Sequence, residues 1–129
     1  MQYKRGESFR YEFKEPLPIT FKTLINGRII GDERELFEGK IQDISPRGMK
    51  MFSEANFGEH NNKMLQLEVD FILDEVMITA VGDIVWERPY ARGTLYGLVF
   101  TNQPKLEQVV ISELKARRRK EVQNKQSRL

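Results

Sequence analysis

The sequence contains no cysteine, which excludes disulfides, thiolate nucleophiles and thiolate metal sites together. It has a single histidine, His60, set in a polar stretch beside Asn61 and Asn62, where it reads as a solvated loop residue. No His/Asp/Glu group has metal-ligand spacing, and no zinc-protease helix motif, nucleophile elbow or phosphate-binding loop occurs. The chain therefore does not read as an enzyme, and neither a metal nor a resident cofactor is expected. No apolar run approaches the ~20 residues of a transmembrane helix, so membrane insertion is not expected. The first ten residues, Met1 to Arg10, lack the apolar stretch of a signal peptide. Export is therefore not expected, and the cytoplasm is the natural location.

What is present is one domain's worth of ordinary globular sequence. There are 129 residues, 40% hydrophobic and 31% charged, enough to bury a core and too apolar for a disordered chain. The formal charge of +2 conceals a segregation. Residues 105–129 hold eight basic and three acidic side chains, a net of +5, while residues 1–104 hold thirteen and sixteen, a net of −3. The body is mildly acidic and the tail basic.

Period two dominates the body. Phe9 to Phe13 alternates aromatic and polar residues, and Leu17 to Ile25 places Ile19, Phe21, Thr23 and Ile25 on one face. The second run ends at Asn26-Gly27, a pair that tolerates the positive φ of a type I′ hairpin turn, and Arg28 to Ile30 starts the return. Further strands are predicted at 36–44, 48–52, 64–73, 76–87 and 95–101, with Asp74-Glu75 joining two of them as a hairpin. Six or seven short strands with frequent turns predict a mainly β chain forming a closed or nearly closed antiparallel barrel, because closure removes exposed strand edges. The period changes after Pro104. Leu106, Val109, Val110 and Leu114 recur at helical spacing, predicting a helix over 105–121 that packs on the barrel by its first half only. The basic run Arg117 to Lys120 then reads as a solvated helix end opposing the macrodipole. The whole is one domain over 1–121, with an N-terminal loop (1–10), a C-terminal helix (105–121) and a polar tail (122–129).

Two segments carry chemistry. One is Lys4-Arg5-Gly6-Glu7-Ser8-Phe9-Arg10, directly before the first strand; the other is Asp43-Ile44-Ser45-Pro46-Arg47-Gly48, where a strand enters a turn. Arginine's planar fork matches phosphate oxygens and other paired acceptors bidentately. Aspartate accepts from N–H donors, serine adds a small adaptable hydroxyl, and glycine permits close backbone approach or positive φ. Each segment also has a plain reading: exposed arginines are usually solvated, and Asp-x-Ser before proline is a common turn device. Trp86 and Tyr96 read as core residues.

Together the segments resemble the paired signature of bacterial PilZ domains, an arginine pair in an N-terminal loop followed by D-x-S-x-x-G. Gly82-Asp83-Ile84-Val85-Trp86 and Tyr96-Gly97-Leu98-Val99-Phe100 are similar to that family's late strands, so the resemblance spans roughly residues 4 to 115. It implies a six-stranded barrel with a C-terminal helix that binds the second messenger cyclic di-GMP. By this resemblance Arg5, Arg10, Asp43, Ser45 and Gly48 are the ligand-binding residues, with Lys4 and Arg47 as additional cations. The signal would pass to a protein effector that the sequence does not name. The family's arginines usually have three residues between them, whereas Arg5 and Arg10 have four. Two alternatives therefore stand beside the nucleotide receptor. One is a degenerate PilZ-like interaction module that binds no nucleotide. The other is a basic-tailed nucleic-acid binder, although specific nucleic-acid binding is not expected, since few aromatics accompany the tail.

Overall fold

The computed structural model describes residues 10–31, 35–56, 65–101 and 103–127, with side chains as far as 124. Lys4, Arg5 and His60 lie outside the described residues. Seven strands and one helix follow in order: β1 (Tyr11–Ile25), β2 (Arg28–Ile29), β3 (Phe37–Ser45), β4 (Gly48–Ser53), β5 (Leu65–Ile72), β6 (Met77–Tyr90), β7 (Gly93–Phe100) and α1 (Leu106–Ser127). The sheet runs β2-β1-β3-β4-β7-β6-β5, and β1 also pairs with β5, closing six strands into an antiparallel barrel with β2 as an extra strand. β1 can close the ring because it is long. Its first part pairs with β3 (Tyr11↔Ile44 to Phe21↔Phe37) and its second with β5 (Thr20↔Asp70 to Ile25↔Leu65).

The described parts of the two runs predicted at residues 9–13 and 17–25, from Tyr11 onward, belong to one strand, joined through an irregularity between Glu12 and Leu17 that contains Pro16. Pro18 is tolerated because there β1 pairs with β3 alone, leaving its other side free of a ladder. The Asn26-Gly27 turn forms as expected, with φ of 51° and 76°.

Inward residues of every barrel strand make the core. Phe21, Ile41, Ile44, Met51, Leu67 and Val69 are fully buried, as is Leu95 to within 1%. α1 adds Leu106, Val110 and Leu114 of the predicted stripe to the same core, whereas Val109 is exposed. It starts after a turn in which Lys105 takes φ of 70°, and it continues to Ser127, beyond the predicted end near Glu121.

The second half of α1 is largely exposed, as expected from the sequence, but Arg117 and Lys120 also reach back to the barrel. Arg117 Nη1 donates to the Leu73 carbonyl at 2.8 Å, and its guanidinium lies 5.0 Å from the centre of the Phe13 ring and 5.8 Å from that of Tyr11. The Tyr11 hydroxyl donates to Glu121 and accepts from Arg117 Nε at 3.3 Å. Lys120 pairs with Asp74 at 2.8 Å and Glu75 at 3.0 Å. One turn earlier, the buried Glu113 accepts from the amides of Glu75 and Val76 at 3.0 and 2.9 Å, tying the β5–β6 turn to the helix. The apolar stripe stops at Leu114 because polar contacts to the barrel take over there. Among the described residues no helix is long and apolar enough to cross a membrane.

Candidate functional site

The D-x-S-x-x-G segment occupies the end of β3, the turn at Pro46-Arg47 and the start of β4. Its placement depends on a break in the strand's alternation. Ile41 pairs with Met51 and Asp43 with Lys50, so β3 carries one extra residue, Gln42, at a β-bulge. Uninterrupted alternation would send Asp43 inward with Ile41. The bulge inverts the phase, returning Ile44 to the core and leaving Asp43 on the outer face.

A second bulge does the same on the opposite side of the site. On β6, Ile84 pairs with Leu98 and Trp86 with Gly97, which makes Val85 the extra residue. Trp86 shares parity with the inward Ile78, Ala80 and Ile84, yet it emerges on the outer face, 42% exposed. The expectation that Trp86 belongs to the core is thus corrected, whereas Tyr96, 5% exposed, does lie there. Burial raises the Tyr96 phenol above its ordinary range.

The pairings Asp43↔Lys50, Lys50↔Gly97 and Gly97↔Trp86 set these four residues side by side across β3, β4, β7 and β6. Directly paired residues point to the same side of a sheet, so this row forms one outer surface. Gly97 is a requirement of that surface. A Cβ there would fall 2.1 Å from Trp86 Nε1 and 2.2 Å from Cε2, so the indole lies flat on the strand where a side chain is missing. Gly48 meets a harder constraint, because a Cβ would sit 2.2 Å from the carbonyl oxygen of Leu98. Its φ is not in the left-handed region, so close approach of β4 to β7, and not turn conformation, demands glycine here.

Charge on this face converges on Asp43. Its side chain, 7% exposed, is covered by Lys50 Nζ at 3.2 Å and, more loosely, Arg10 Nε at 4.0 Å. Glu12 stands opposite Asp43 on β1. At the far end of the row the Arg88 guanidinium lies 5.5 Å from the centre of the Trp86 ring, a cation–π distance. Ser45 closes the turn. Its Oγ accepts from the Arg47 amide at 3.3 Å and donates to the Gly48 carbonyl at 3.3 Å. The Arg47 side chain points away to Glu107 of α1, 3.5 Å off.

Of the residues singled out from sequence, Arg10, Asp43, Ser45, Arg47 and Gly48 thus come together around one turn and its strands. Sequence reasoning missed Lys50 and Trp86. Lys50 was recoverable, since counting by two from Gly48 puts it outward between Met49 and Met51. Trp86 was not, because the extra residue that turns it outward is visible only in the pairing.

The PilZ domain family model matches residues 3–116. The chain belongs to the PilZ family. Among solved structures, this PilZ domain is similar to the PilZ domain with c-di-GMP of YcgR from Escherichia coli, with a TM-score of 0.67 and 14% identity over 98% of this chain and all of the other. It is also similar to the PilZ domain of CeSA from a cellulose synthesizing bacterium, with a TM-score of 0.56 and 14% identity over 84% of this chain and 97% of the other. At that identity the likeness concerns the barrel. No curated protein sequence matches the chain.

Proposed function

We propose that this PilZ domain is a binding module for cyclic di-GMP, without enzymatic activity of its own, and that it passes occupancy of the site to a protein effector. The observation that carries the reading is the outer row itself: a carboxylate held between two cations, three strands from an exposed indole. A cyclic dinucleotide presents two phosphates, two flat bases and the N–H edge of guanine. In this reading Arg10 takes phosphate or the guanine O6/N7 edge, and Arg5, from the segment before it, does the same. Asp43 accepts from guanine N1–H and N2–H, Ser45 offers its hydroxyl, and Arg47 and Lys4 supply further positive charge. Trp86 offers a stacking face to one base. Lys50 keeps Asp43 paired and aimed outward when Arg10 turns to the ligand. Arg10 is suited to that exchange, since it is 64% exposed and holds Asp43 at the limit of ion-pair distance.

Titration calorimetry with cyclic di-GMP tests the proposal. Saturable heat is expected, abolished by Arg10→Ala and by Asp43→Ala, with the melting temperature of the free protein moved by no more than a few degrees. Absence of heat and of thermal shift at ligand well above micromolar would instead favour a degenerate PilZ domain working through protein contacts alone. The observation behind that second reading is that Asp43 already has two cationic partners.

A further inference from the structure

The Arg47–Glu107 pair lies outside the row of ligand residues yet joins the D-x-S-x-x-G turn to the first turn of α1. The two side chains meet at 3.5 Å beside a cavity of about 460 Å³, whose lining includes Pro46, Val99, Phe100 and Lys105. The Arg47 backbone is fixed at both ends. Its carbonyl accepts from the Phe100 amide at 2.8 Å, and its amide donates to Ser45 Oγ at 3.3 Å. Among the described residues its side chain is held only by this pair, which is 67% and 59% exposed, the setting in which ion pairs are weak. A weakly held guanidinium on a rigid turn, next to Ser45 and Gly48, can therefore serve one anion at a time.

We infer that Glu107 competes with the bound dinucleotide for Arg47, so that the helix lowers ligand affinity and the ligand in turn loosens the start of the helix. The inference rests on the cyclic di-GMP reading above. Its sign follows from charge. A dianion at the turn draws Arg47 off Glu107, and the released carboxylate both repels the ligand and leaves the first turn of α1 without its tether to the β3–β4 turn. Linkage makes the two effects equal and opposite descriptions of one coupling. α1 then becomes the element through which occupancy is read.

The test is calorimetry of the full chain with cyclic di-GMP for wild type, Glu107→Gln and Glu107→Arg, together with hydrogen exchange. Glu107→Gln should bind about two- to fivefold tighter, the range expected for an exposed ion pair. Glu107→Arg should bind tighter still, and both gains should shrink as salt approaches 1 M. Glu107→Gln should also melt slightly lower, because a first-turn carboxylate favours the helix; tighter binding by a less stable protein is what a merely structural role would not produce. In wild type, saturating ligand should speed exchange at the start of α1, including the Val109 amide now bonded to the Lys105 carbonyl at 3.0 Å. In Glu107→Gln that exchange should be fast with or without ligand. Binding by wild type with unchanged affinity in both variants, or with exchange that slows at the helix start, overturns the coupling alone. No binding by wild type overturns the ligand reading and this inference with it.

Discussion

Gly97 separates the site from the fold more sharply than any other position. In Gly97→Ala the new methyl would lie 2.1 Å from Trp86 Nε1 and 2.2 Å from Cε2. Those atoms belong to a side chain that is already 42% exposed, so the indole can swing off the strand while the backbone stays in place. Roughly 60% of the ~250 Å² of a tryptophan side chain is covered in the native state, about 150 Å². At ~25 cal/mol per Å² its complete release would cost about 4 kcal/mol, a ceiling because a displaced ring keeps part of its contact. Alanine returns about 0.4–1 kcal/mol by restricting the unfolded chain. A net loss of about 1–2 kcal/mol is expected, or ~3–8 °C in melting temperature. Trp86 is the single tryptophan of the chain, so emission reports this ring alone. The variant should show red-shifted emission, and its affinity for cyclic di-GMP should fall about tenfold as a stacking partner is lost. Wild-type emission with wild-type affinity would refute the placement of the indole over Gly97. A loss well above ~4 kcal/mol would show that backbone and not side chain gives way.

Gly48→Ala should behave in the opposite manner, because the obstacle is the Leu98 carbonyl and strands β4 and β7 must part; a loss of at least ~3 kcal/mol in urea unfolding is expected, with little soluble protein. Glu113→Ala leaves the Glu75 and Val76 amides without their acceptor and should cost about 2–4 kcal/mol, whereas Glu113→Gln keeps an amide oxygen and should cost about half as much by the same measurement. Tyr11 has its phenol raised above the ordinary value of 10.0, first by burial and then by its hydrogen bond to Glu121. The folded state thus keeps the proton longer than the unfolded state, so this stabilisation is complete below pH ~10 and is lost as the pH rises through the folded value. Tyr11→Phe should therefore be less stable than wild type at pH ~8 by about 1 kcal/mol, and the gap should close above pH ~10 in a series of thermal melts. A gap that widens with pH would contradict the environment assigned to Tyr11.

The alternation along β1 and β5 is a local property and was legible without pairing: Ile19 and Phe21, and Leu67, Val69 and Phe71, face the core as period two requires. The same holds for Asn26-Gly27, whose positive φ values need only two permissive residues, and for Leu106, Val110 and Leu114 on one helical stripe. The motif residues Asp43, Ser45 and Gly48 were also legible, since their spacing places them around one turn.

Which way those residues face was decided by tertiary pairing. Gln42 and Val85 are ordinary strand residues in sequence, and nothing local marks either as the extra member of its ladder. Each becomes a bulge because the partner strand, already registered by its own core residues, offers one residue too few. The phase then inverts, and Asp43 and Trp86 arrive on one outer surface instead of in the core. The fate of the basic helix end was likewise a matter of what lay beside it. Arg117 and Lys120 carry no apolar periodicity, but barrel closure sets Phe13, Tyr11, the Leu73 carbonyl and Asp74 within their reach. Periodicity and turn chemistry are written along the chain; phase and partnership exist only once the strands have paired.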